Sequence, residues 1–206
     1  MYNFLNLINE KKTFVVQTFA NLLTQLAITY WVAFKTSLGG FAQYGVFTIL
    51  ALIIAQFAII FSLHETKNLG IQFALFSVFS VIAGMLLNLF KDRNYKVIHS
   101  VIQVIALVFA VMFALGVILL LGGFLFGRTT LLIMLALLIL YIILGIFGGF
   151  NSLKTFGFLL FSAFIAIDTN MMLQEGYDKT HTPINASMRY YLDILNLYSI
   201  LRGNKK

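Results

Sequence analysis

Apolar residues fall along this chain in long unbroken runs separated by short polar punctuation. The hydrocarbon core of a bilayer, about 30 Å thick, is crossed by about 20 residues of helix. Runs of that length predict seven helices, at about 13–34, 43–63, 69–90, 97–119, 124–148, 155–174 and 186–202. KTSLGGFAQYG, HETKN and KDRNYK mark the breaks, and KDRNYK is the clearest. From Val97 to Phe150 the only charge is Arg128, so the fourth and fifth helices meet at a soft boundary near Leu121-Gly122-Gly123. Spanning β-strands would alternate over about ten residues. These runs are continuous and about twice that length. The expected fold is an all-α integral membrane protein: a seven-transmembrane-helix bundle in a single membrane domain over residues 1–206.

Composition agrees with the pattern. The 206 residues are 61% hydrophobic and 10% charged, whereas a soluble domain is about a quarter charged. A net charge of +7 in a soluble protein would suggest nucleic acid. Here the basic residues lie mainly between apolar runs, which suits loops facing anionic lipid headgroups. The expected partner is therefore the lipid bilayer, and no nucleic acid. There is no cysteine, so neither a disulfide framework nor a thiolate metal site is expected. The polar MYNFLNLINEKK and the long run after it read as a tail and a first span, not a cleaved signal. Tyr30-Trp31 suits an interfacial belt. Gly123/Gly127 and Gly145/Gly149 have the spacing of close helix packing.

Against this background two acids stand out. Of Glu10, Glu65, Asp92, Asp168, Glu175, Asp178 and Asp193, only Asp168 and Asp193 lie inside predicted spans. An acid at mid-helix costs about 2.5–3.5 kcal/mol on insertion scales, so it faces a partner or a wet cavity. Asp168 lies seven residues before Glu175, near the predicted end of its helix, and Asp193 seven after Ala186, near the predicted start of the next. The short loop QEGYDKTHTPI makes the two helices antiparallel. Both acids are then about 10 Å in from the same membrane face. If their faces turn inward, they meet. Two carboxylates in contact share a proton, attract cations and, once deprotonated, offer oxygen ligands suited to a transient Ca²⁺ contact.

Other polar residues offer support or competing explanations. Arg189 lies one helical turn before Asp193, and a private ion pair would satisfy that acid locally. Tyr190 and Asn196 sit on the same stripe as Asp193, where they orient carboxylates or bond between helices. Gln17, Asn21 and Gln25, at four-residue spacing, form a polar stripe on the first helix. It lines a path or serves as interhelical glue. His64, at the end of the second helix, is the basic group best suited to dock on a carboxylate.

The segments LLFSAFIAIDTNMM and ASMRYYLDILNLYSILRG resemble the last two helices of the Bax inhibitor-1 family. Those helices typically carry segments like F-S-x-Y-I-x-Y-D-T and Y-L-D-I-I-N-L-F. The matching positions are Phe161, Ser162, Asp168 and Thr169, then Tyr191, Leu192, Asp193, Ile194, Asn196 and Leu197. KNLGIQFALFSVFSVIAG and FVVQTFANLLTQLAITYWVAF resemble the family's third and first helices. The resemblance implies a seven-helix bundle with the last helix central. It implies a pH-dependent Ca²⁺ leak, with Asp168 and Asp193 as pH sensor and gate, and a link to suppression of cell death. It also implies a bacterial plasma membrane, or an internal membrane in a eukaryotic or viral context. Where bacterial relatives carry a latching arginine this chain has His64, and the basic loop between the fourth and fifth helices shrinks to Arg128.

Three functions are compatible with these features. The first is a calcium-permeable leak channel with Ca²⁺ as permeant ion and no cofactor. The second is a non-conducting regulator of cell death or stress that binds other membrane proteins. The third is an intramembrane aspartyl protease, using the two acids as general acid and base. Such proteases carry G-x-G-D and P-A-L, whereas this chain reads AIAID and YYLDI and has its proline in a predicted loop. A non-enzyme is expected.

Overall fold

Seven α-helices make up most of the computed structural model, which describes residues 4–35, 46–89, 95–150, 152–175 and 182–202. They are α1 (Phe4–Tyr30), α2 (Val46–Glu65), α3 (Leu69–Leu89), α4 (Tyr95–Leu121), α5 (Arg128–Gly148), α6 (Lys154–Glu175) and α7 (Pro183–Arg202). The helices α2 to α6 are each long and apolar enough to cross a membrane. A chain with five such helices is an integral, multi-pass membrane protein. The helices α1 and α7 are of spanning length too, but carry more polar residues.

Helix ends depart from the apolar runs where local chemistry sets them. α1 begins at Phe4, well before the run at Thr13, and closes in a π-helical turn, Trp31–Lys35. A π-turn misaligns backbone carbonyls, and the Asn88 amide of α3 donates to one of them, Ala33 O, at 2.8 Å. α3 starts where expected because the Asn68 Oδ1 accepts the backbone N–H groups of Gly70 and Ile71 at 2.9 and 3.2 Å, an N-cap. α7 starts three residues earlier than expected, at Pro183. There the Thr182 hydroxyl accepts the Asn185 N–H at 3.2 Å. Thr at the cap with Pro at the first helical position is a favoured start, so Pro183 is a helix residue and not a loop residue.

Contacts group the chain into two compact units. One holds residues 94–176 and 192–206 with the first residues of the chain; the other holds 13–93 and 177–191. In the first, α6 packs chiefly on α4. A Cβ on Gly116 of α4 would lie 2.4 Å from the Ala166 carbonyl oxygen and 2.7 Å from the Thr169 Cβ. The glycine therefore lets the two backbones touch. Gly157 of α6 makes similar room for the Tyr141 ring of α5. The glycines spaced for close packing behave differently. A Cβ added at Gly123, Gly127 or Gly149 would meet nothing within 4 Å. Gly123 and Gly149 have φ of 86° and 82°, so they end helices by adopting a backbone that other residues avoid. Gly145 takes the Phe150 ring of its own turn.

In the second unit, α2, α3, the π-turn, most of α1 and the start of α7 pack together. Gly84 of α3 faces Val32 and the Thr29 carbonyl so closely that a Cβ would fall 2.7–2.8 Å from them. Tyr191 of α7 is fully buried, with the rings of Phe76 and Phe79 edge-on at 5.2 and 5.9 Å.

Candidate functional site

Helix α6 is buried almost all round from Leu160 to Leu173. Within that stretch Asp168, Thr169 and Asn170 follow one another. Three successive residues cover about 200° of a helix circumference. Polar side chains therefore point to more than one side of α6, and each needs a polar environment. The Thr169 hydroxyl returns to its own helix, donating to Ile165 O at 2.7 Å.

Asn170 uses its whole amide. Its Nδ2 donates to Phe124 O at 2.9 Å and Gly116 O at 3.3 Å. Its Oδ1 accepts the Phe126 N–H at 3.2 Å and a short bond from Gln174 Nε2. Gln174 also donates to Phe126 O at 3.3 Å. The uncharged connection between α4 and α5 is thus held to α6 by two amide side chains, neither of which stands out in the sequence.

Asp168 and Asp193 belong to the same unit, and each is 6% exposed. The Oδ2 atom of Asp193 is enclosed in the protein, and both acids are engaged with other groups. The equal spacing from helix ends changes with the early start of α7. Asp168 lies seven residues before the end of α6, about 10 Å, and Asp193 ten after the start of α7, about 15 Å. Asn196 is half-buried in this unit too. Arg189 and Tyr190 fall in the other unit, where Tyr190 is buried and stacks on Phe19 at 6.0 Å. His64 is exposed in the last turn of α2.

The stripe on α1 divides. Gln17 is exposed, whereas Asn21 and Gln25 are buried with Thr18 and Thr29. Asn21 Nδ2 donates to Ser187 Oγ of α7 at 2.5 Å. Gln25 donates to Ser77 Oγ at 3.2 Å and accepts from Ser80 Oγ at 2.9 Å, both on α3. Thr29 bonds to Ser80 O at 3.1 Å and makes a short contact with the Tyr191 hydroxyl. These are the contacts of interhelical glue. A further stitch has no counterpart in the sequence pattern. The buried Gln72 accepts from the Thr182 hydroxyl at 2.8 Å and donates to Leu63 O at 3.3 Å, tying α2, α3 and the α7 cap together.

A resident Ca²⁺ takes six to eight oxygens. Among the described residues no three His, Cys, Asp or Glu side chains gather into a metal-binding group. Asp168 and Asp193 alone would offer a passing cation too few ligands to hold it.

In comparison with known proteins, the family model described as "Inhibitor of apoptosis-promoting Bax1" (Bax1-I) matches residues 11–202, nearly the whole chain. No curated protein matches, and no solved structure does.

Proposed function

The chain belongs to the Bax inhibitor-1 family, and on that premise we propose that it is a pH-sensitive, calcium-permeable leak channel gated by Asp168 and Asp193. The observation that carries this reading is that both acids are buried, to the same 6% exposure, in one compact unit. Buried intramembrane acids are costly and mark ion or proton sites. In the proposed closed state the two carboxylates share one proton. Two carboxylates 4 Å apart repel by about 4 kcal/mol at an effective dielectric constant of about 20. That is roughly a thousandfold change in a two-state equilibrium. Loss of the shared proton then parts α6 from α7 and leaves oxygens for a passing Ca²⁺. The closed state binds more protons than the open one, so raising pH favours opening.

The same reading takes all seven helices as spans, with α7 at the centre of the bundle, and assigns the chain no catalysis and no cofactor. Purified protein in liposomes with an enclosed Ca²⁺ dye tests it. Asp168→Asn and Asp193→Asn should each flatten the pH dependence of flux. Unchanged pH profiles in both variants would sink the gate. Absence of flux from the native protein in pure liposomes would favour the non-conducting regulator that binds other membrane proteins.

A further inference from the structure

We infer that Asn170 is a positioning residue: it clasps the α4–α5 connection to α6, so that displacement of the Asp168 segment and release of the connection are one event. The inference rests on the gating role proposed for Asp168. Asn170 is fully buried. It takes a carbonyl from within α4 (Gly116), a carbonyl from the connection (Phe124) and an N–H from the connection (Phe126). Gln174, one turn on, adds the Phe126 carbonyl.

Asp168 and Asn170 are two residues apart, about 200° around the helix. A rotation of α6 that carries the carboxylate one way carries the amide the other. The nearby contact of Gly116 with Ala166 and Thr169 leaves no room for a Cβ. Asn170 lies one turn beyond Ala166 on the same face and bonds to Gly116 itself, so a turn of α6 that moves Asp168 also shifts the amide against the connection it holds. A buried N–H or carbonyl left without its partner is costly, so the connection opposes the motion until its backbone finds water.

Hydrogen exchange of peptides covering residues 122–127, read by mass spectrometry on the full chain in detergent or liposomes, tests this directly. The Phe126 N–H reports on the clasp because it donates to Asn170. Asn170→Ala should exchange about tenfold faster there, the effect of one to two net hydrogen bonds, and should raise Ca²⁺ flux at a fixed pH. Gln174→Ala should do the same to a smaller extent, and it guards against a fold lost in Asn170→Ala. Peptides from α2 and α3 should be unchanged, which separates release of the clasp from unfolding. By reciprocity of coupling, Asp168→Asn should slow exchange at 122–127 by about threefold. Unchanged exchange in Asn170→Ala and Gln174→Ala overturns the clasp. Unchanged exchange in Asp168→Asn overturns its link to the acid. A native protein without flux sinks the channel reading alone, because the exchange measurements still decide the coupling.

Discussion

Helices α5 and α6 are of similar length and neighbours in sequence, yet they live in opposite surroundings. In α6, 72% of the apolar stretch is buried; in α5 only 17% is. The more buried of the two is the more polar. α6 carries Ser162, Asp168, Thr169 and Asn170 on buried positions, while α5 exposes Leu132, Ile139, Ile142, Ile146 and Phe147. In water the ranking is the reverse, because apolar surface is what burial removes from solvent. In lipid an apolar side chain loses nothing by being outside. Polar groups are the ones that must find protein. Hydropathy therefore reports here on who faces lipid.

Three tests put that contrast at risk. The largest effect is expected where α4 touches α6. Gly116→Val places methyl groups against a backbone carbonyl that cannot yield, and should cost about 4 kcal/mol or more. Gly148→Ala, with nothing within 4 Å, should be close to neutral. Thermal unfolding midpoints in one detergent compare the pair, and equal midpoints would refute the close contact. Next, an acid moved from α6 to α5 should not be tolerated. Ile142→Asp, on a lipid-facing position 44% exposed, should impair insertion by about 2.5–3.5 kcal/mol. A glycosylation-mapped insertion assay measures it, and normal insertion would show that α5 has a polar neighbour. The smallest effect sets two glutamines of α1 against each other. Gln25→Ala removes the bonds to Ser77 and Ser80 of α3 and should cost about 1–3 kcal/mol, whereas Gln17→Ala should stay within about 0.5 kcal/mol. Similar losses at both sites would mean that the two glutamines share one environment.

Helix existence is legible because lipid demands length. The run at 155–174 corresponds to Lys154–Glu175, and that at 69–90 to Leu69–Leu89. Ends are legible only where a cap spells them. Thr182-Pro183 carries such a cap, but the apolar run that follows begins only near Ala186 and puts the expected start three residues late. The early start of α1 has no such sign, because apolar character marks lipid contact and not the first helical hydrogen bond. The burial of Asp168 and Asp193 follows from their cost in a membrane. The roles of Asn170 and Gln72 cannot be read in advance, since their partners are mostly backbone groups, which every residue has. Glycine spacing misleads for a related reason. Gly116 matters because of what α6 places opposite it, and that neighbour is 50 residues further along the chain.

The Asn21–Ser187 bond joins residues 166 apart, which makes it an event in time as well as in space. A ribosome adding about 5–20 residues per second reaches Ser187 roughly 8–33 s after Asn21. Gln25 receives its α3 serines much sooner, about 55 residues on. The first helix made is thus half-dressed early and completed only by the last. A nascent chain halted before Thr182 would keep α1 permanently short of Ser187 and Tyr191, with its amide and hydroxyl left for quality-control machinery to find.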